Sequence, residues 1–137
     1  MPATTGILET SLYVADLQRS AAFYEALFGF PVLYADRRMC AMAVREGQVL
    51  LLFQQGGSLR DAVTPGGLVP GSDGRGQLHV AFAVTRDALP AWEEQLAEAG
   101  IAVESTVTWP KGGISLYFRD PDGHVLELAT PGLWANY

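Results

Sequence analysis

Period-two alternation opens the chain. From Ile7 to Val14 the even positions Leu8, Leu12 and Val14 are apolar, while Glu9, Ser11 and Tyr13 hold the odd ones. This pattern predicts a strand with two unlike faces. The period then turns helical, with Leu17, Ala21, Tyr24 and Phe28 in register, Asp16 in the N-cap place and Gly29 as the stop. Strand-like runs follow at Phe30 to Ala35, Met39 to Arg45 and Val49 to Gln54, the last two joined by Glu46-Gly47. From Gln55 to Gly76 the chain is rich in Gly and Pro and has little periodicity. A loop of this length is either functional or a connector, and it is expected to shape the mouth of a cavity.

The pattern then begins again. Gln77 to Val84 reads as a strand, and Asp87 is placed to cap a helix carrying Leu89, Trp92, Leu96 and Ala99, stopped by Gly100. Strand-like runs follow at Ile101 to Thr108, Gly113 to Arg119 and His124 to Thr130, with Asp120-Pro-Asp-Gly123 as a turn. The order β-α-β-β-β thus occurs twice. Superposed, Glu9 falls on His79, Gly29 on Gly100 and Gly47 on Gly123, which sets Leu51 on Glu127. The expected fold class is α+β: two βαβββ modules, at 7–54 and 77–130, joined by a linker loop at 55–76. Each module offers a curved sheet with a helix on its convex side, and the concave faces line a cavity.

Composition narrows the partners. The chain has 137 residues, 15 acidic against 9 basic, for a net charge of -6, and its basic residues are eight scattered Arg and Lys111. That balance argues against nucleic acid, which needs clustered cations. At 49% hydrophobic and 18% charged residues the chain is too apolar for disorder. It holds no apolar run long enough for a membrane span, and its first residues lack the pattern of a signal peptide. Cys40, the single cysteine, excludes an internal disulfide and reads as an ordinary strand residue. A cytoplasmic protein is expected.

Three ionisable residues stand where the strand pattern expects apolar or neutral ones: Glu9, His79 and Glu127. A carboxylate facing an enclosed cavity costs several kcal/mol unless it is paired or metal-bound. No Lys or Arg lies at the matching positions. Taken singly, a strand His is more often structural and a strand-end Glu more often solvated. Their coincidence under the repeat shifts the reading to a metal site, since two carboxylates and one imidazole suit a divalent cation and leave coordination positions open. Ser11 shares the face of Glu9, and Leu51, Phe53 and Trp109 are candidates for an apolar wall around a small-molecule substrate. The helical stripes are read as core, and His124, directly after a turn, as solvent-exposed.

Two stretches, Val14-Ala-Asp-Leu-Gln-Arg-Ser-Ala-Ala-Phe-Tyr-Glu-Ala-Leu-Phe-Gly-Phe30 and Tyr117-Phe-Arg-Asp-Pro-Asp-Gly-His-Val-Leu-Glu-Leu128, resemble the vicinal oxygen chelate superfamily. That group includes glyoxalase I, bleomycin-binding resistance proteins, fosfomycin-modifying enzymes and extradiol dioxygenases. The resemblance spans about residues 7 to 130 and implies paired βαβββ modules in a homodimer. It implies a metal held at Glu9, His79 and Glu127, with a fourth family position on Leu51, which cannot bind one. It further implies that a carboxylate, Glu127 or Glu9, doubles as the base. It also implies, from the fosfomycin-modifying members, a cavity-facing Tyr117. Leu51 weakens the case for strict glyoxalase I activity. Glu9, standing where extradiol dioxygenases have a His, hardens the site toward Mn, Ni, Co or Mg, with Zn and Fe still open. The expected function is a glyoxalase-like metal-dependent lyase or isomerase acting on vicinal oxygens. The alternatives are a bleomycin-type binding protein and an extradiol-type dioxygenase.

Overall fold

In a computed structural model describing residues 1–137, the chain divides into two compact units, Met1–Gly76 and Gln77–Tyr137. The first runs β1 (Glu9–Val14), α1 (Leu17–Phe28), β2 (Val32–Ala35), β3 (Met39–Arg45), β4 (Gln48–Gln54), then a small hairpin, β5 (Ala62–Thr64) and β6 (Gly67–Val69). The second runs β7 (His79–Ala83), α2 (Leu89–Glu98), β8 (Ser105–Thr108), β9 (Ile114–Arg119) and β10 (Val125–Ala129). Sheet orders are β1-β4-β3-β2 and β7-β10-β9-β8, so each unit repeats one topology. In both, the first strand pairs parallel with the last and the others pair antiparallel. No helix is long and apolar enough to cross a membrane.

Alternation decides what each face does. In the first unit Leu12, Val14, Cys40, Met42, Leu50 and Leu52 are buried on the face that α1 packs against through Tyr24 and Leu27. Burial of this kind is worth about 1.5–3 kcal/mol per large side chain. The opposite face carries Glu9, Ser11, Tyr13, Ala41, Leu51 and Phe53. Asp16 caps α1 by accepting from the Arg19 amide at 3.0 Å, and Gly29 closes it at φ 70°.

Several element limits differ from the sequence reading, each for a local reason. Ile7 and Leu8 are exposed and β1 starts at Glu9. Pro31 has no amide to donate, so β2 starts at Val32, and Phe30 stacks on Phe28 at 4.9 Å. Asp87 does not cap α2: it lies in a 3₁₀ turn, Arg86–Ala88, and Ala88 opens the helix without a side-chain cap. At the other end, amides of Gly100 and Ile101 donate to the carbonyls of Ala97 and Leu96, closing α2 as a Schellman motif. That motif takes up Ile101, so β8 begins only at Ser105.

The segment 55–76 is ordered and belongs to the first unit. The Tyr13 hydroxyl donates to Ser72 Oγ at 2.7 Å, Ser58 Oγ to the Ser72 carbonyl at 3.2 Å, and the Gly71 amide to Asp61 at 2.9 Å. Gly74 lies so close to the Tyr13 ring that a Cβ there would stand 2.4 Å from Cδ2. Only glycine allows that approach.

Candidate metal and substrate site

The second unit assembles a polar cluster on one face of its sheet. The parallel β7–β10 register sets His79 beside Val125 and Ala81 beside Glu127, and β9 sets Tyr117 opposite Glu127. Leu116, Phe118, Leu126 and Leu128 fill the other face and are all but fully buried. Glu127 is only 4% exposed, whereas His79 is open to solvent. Their side chains meet, with His79 Nε2 at 3.2 Å from Glu127 Oε2.

The imidazole is oriented from behind. His79 Nδ1 lies 2.9 Å from the Val125 carbonyl oxygen. A carbonyl only accepts, so Nδ1 carries a hydrogen and, in the neutral ring, Nε2 turns a lone pair toward Glu127. Two acceptors facing each other at this distance need a proton or a cation between them. Backbone anchoring of the remote ring nitrogen is the usual support of a metal-binding His. Two ligands about 2.1 Å from one ion lie roughly 3.0 Å apart at octahedral and roughly 3.4 Å at tetrahedral angles, a range that holds the 3.2 Å seen. The donor set therefore fits a divalent cation.

The other Glu127 oxygen is held too. Ser115 Oγ donates to Glu127 Oε1 at 2.5 Å and accepts from Trp109 Nε1 at 2.8 Å. Burial, then the Glu127 charge, push the Tyr117 phenol above its ordinary pKa, which keeps it a proton-bearing donor. The Tyr117 ring lies 6.3 Å from that of His79.

The first unit carries the other predicted residues. Glu9, exposed at the start of β1, pairs with Val49, and Ser11 pairs with Leu51. Glu9, Leu51 and Phe53 line a cavity of about 510 Å³, and the hairpin segment forms a further wall through residues such as Ala62 and Val69. Phe53 is stacked on Tyr13 at 5.5 Å. The structure thus joins His79, Glu127 and Tyr117 in one cluster, and Glu9, Leu51 and Phe53 around one cavity. Trp109 sits in the second unit with its indole N–H committed to Ser115. No three His, Cys, Asp or Glu side chains gather within the chain as a metal cage.

Sequence reasoning missed Ser115, although alternation along β9 already places it on the face of Tyr117. It also missed Arg38 and Arg60, which line the first unit's cavity. His124 corrects an expectation: it is 1% exposed, not solvated. Its Nδ1 accepts from the Leu78 amide at 2.9 Å, and its own amide donates to Asp120 at 2.8 Å, so it ties the turn to β7.

Comparison with known proteins places this geometry. The family model described as the Glyoxalase/Bleomycin resistance protein/Dioxygenase superfamily matches residues 6–128. The chain is 29% identical over 133 residues to metallothiol transferase FosB of Bacillus licheniformis, covering 91% of this chain and 75% of that protein. It is 30% identical over 129 residues to glutathione transferase FosA of Serratia marcescens, covering 92% and 81%. The crystal structure of lactoylglutathione lyase from Agrobacterium tumefaciens superposes with a TM-score of 0.88 at 31% identity, over 98% of this chain and 99% of that one.

Proposed function

The chain belongs to the Glyoxalase/Bleomycin resistance protein/Dioxygenase superfamily, and on that premise we propose that it is a metal-dependent, glyoxalase-like enzyme acting on neighbouring oxygens of a small substrate. The observation that carries this is the anchored imidazole of His79, whose free nitrogen faces the buried Glu127 carboxylate at 3.2 Å. His79 and Glu127 would supply two of the metal's ligands. A divalent ion there (Mn, Ni, Co, Zn, Mg or Fe) supplies Lewis acidity toward paired oxygens and stabilises negative charge that develops on them.

The chain's own residues do the rest. Ser115 and Trp109 fix the Glu127 carboxylate, so its orientation is set before substrate arrives. The Glu9 side chain, on the lining of the first unit's cavity, has no protein hydrogen bond or ion pair, which leaves it free to accept a proton from a molecule held there. Tyr117, held protonated, donates a hydrogen bond to a substrate oxygen. Ser11, Leu51 and Phe53 lie on the face that receives the substrate body, with Leu51 standing where a fourth ligand would be. The relatives' names, a metallothiol transferase, a glutathione transferase and a lactoylglutathione lyase, support metal dependence and a thiol or thiol adduct among the reactants. A homodimer is part of this reading.

The test is metal analysis of protein purified without chelators, joined to melting curves with EDTA or with added manganese, nickel or zinc. A ligand at about a hundred times its Kd stabilises by about 2.7 kcal/mol, a shift of several degrees for a domain of this size. Wild type should gain that shift, and Glu127→Gln should lose most of it. A wild type with no gain from any metal gives the site to the binding-protein reading instead.

A further inference from the structure

We propose that the cavity of the first unit binds a small molecule with an apolar body and one anionic group, a carboxylate or its equivalent, received by Arg38 and Arg60. The inference deepens the proposed function, because it rests on that reading's assignment of Leu51 and Phe53 to the substrate-receiving face.

The apolar part follows from the sheet. Leu33, Met39, Val49, Leu51 and Phe53 line the cavity from the open face and edge of the sheet, and Val69 and Pro70 line it from the hairpin segment. Leu51 is 8% exposed. At about 510 Å³ the space suits a ligand of one or two rings and excludes little more. Tyr13–Ser72 bonding and the close Gly74 approach hold the hairpin segment against the sheet, so the wall is built before any ligand arrives.

The anionic part follows by elimination among the polar groups. Tyr34 donates its hydroxyl to Asp36, Ser58 to the Ser72 carbonyl and Thr64 to the Gly67 carbonyl, while Ser72 receives Tyr13. Three charged groups of the lining remain without a protein hydrogen bond or ion pair from their side chains: Arg38, Arg60 and Glu9. Asp36, the acid nearest Arg38 in sequence, feels the Arg38 charge but forms no ion pair with it, its oxygens being taken by the amides of Arg38 and Met39 and by Tyr34. Two guanidiniums against one carboxylate make the lining net positive in a chain whose net charge is -6. Guanidinium forks match the two oxygens of a carboxylate and favour it over a neutral hydroxyl.

The probe pair is 2-naphthoate and 2-naphthalenemethanol, equal in body and different in charge, titrated into the full chain with EDTA present. Naphthoate should bind at least about ten-fold more tightly than the alcohol, and Arg38→Gln with Arg60→Gln should remove about that factor for naphthoate alone. Both side chains are exposed, so the double variant should keep the wild-type melting temperature. Equal binding of the two probes overturns the proposal, as does naphthoate binding that survives the double variant, or none at all. So does a second copy of the chain occupying the cavity, seen as a dimer that naphthoate cannot enter. The manganese shift separates this inference from the one beneath it. Arginine-dependent naphthoate binding without any metal shift sinks only the metal reading. A metal shift abolished by Glu127→Gln, with no preference for naphthoate, sinks only this one.

Discussion

Glu127 is a buried acid on a strand, and four groups are arranged about it: His79, Ser115, Trp109 through Ser115, and Tyr117. A buried carboxylate without such partners would cost several kcal/mol. The arrangement makes Ser115 the residue whose loss should separate positioning from mere packing. Ser115→Ala leaves Trp109 Nε1 without its acceptor and Glu127 Oε1 without its donor. We expect a stability loss of about 1–3 kcal/mol and a metal affinity lowered about ten-fold or more. Thermal melting checks the first and isothermal titration with manganese the second. Ser115→Thr, which keeps the hydroxyl, should restore most of the affinity. An alanine variant that is less stable yet binds manganese unchanged would make Ser115 structural only. Glu9, His79 and Glu127 stand out in the sequence as ionisable residues on strands at matching places of the repeat, and the structure brings His79 and Glu127 into contact. His124 was misread because it follows a turn, and turn position says nothing about which way an imidazole folds back. Arg38 and Arg60 carry no such mark, since exposed arginines occur on any surface; only the cavity they line makes them candidates.

At the scale of elements, local chemistry explains both what the pattern foretold and what it did not. Asp16 caps α1 as its place before Leu17 suggests. Asp87 has the same residue type in the same apparent place, yet an intervening 3₁₀ turn carries it out of the cap. The period of apolar residues locates a helix but does not fix its first turn. The Gly/Pro-rich stretch shows a further limit. Its hairpin and its hydrogen bonds to β1 depend on contacts remote in sequence, such as Tyr13 with Ser72. Gly74 tests how far that segment shapes the cavity. Gly74→Ala drives a methyl group into the Tyr13 ring, and overpacking of this kind costs about 1–3 kcal/mol. The expected result is a lower melting temperature together with weaker naphthoate binding and an unchanged manganese shift per unit of metal bound. Full retention of naphthoate binding would make the segment a passive strap rather than a cavity wall.

Across the whole molecule the duplication is the organising fact, and register makes it concrete. In the first unit Glu9 pairs with Val49, and Leu51 lies two residues on; in the second His79 pairs with Val125, and Glu127 lies two residues on. The pair Glu9 and Leu51 is therefore the structural counterpart of His79 and Glu127. The second unit carries two side chains of metal-binding type at these positions and the first unit only one. The repeat in the sequence implies the same pairing, because strand spacing is preserved between the copies. What it could not reach is that the second-unit pair is already in contact at 3.2 Å. Leu51→Glu sets a carboxylate at the position equivalent to Glu127. Without metal it loses about 2–3 kcal/mol of apolar burial and adds the desolvation of a carboxylate. The variant with EDTA should therefore melt well below wild type. If register carries ligation as well as shape, manganese should recover much of that loss, giving a metal-dependent shift larger than that of wild type. Leu51→Gln, equal in size and without charge, should show the destabilisation and no added shift. An extra gain in Leu51→Glu that also survives Glu9→Gln would mean the new carboxylate binds metal without its strand partner, and the equivalence of the two pairs would then be one of backbone alone.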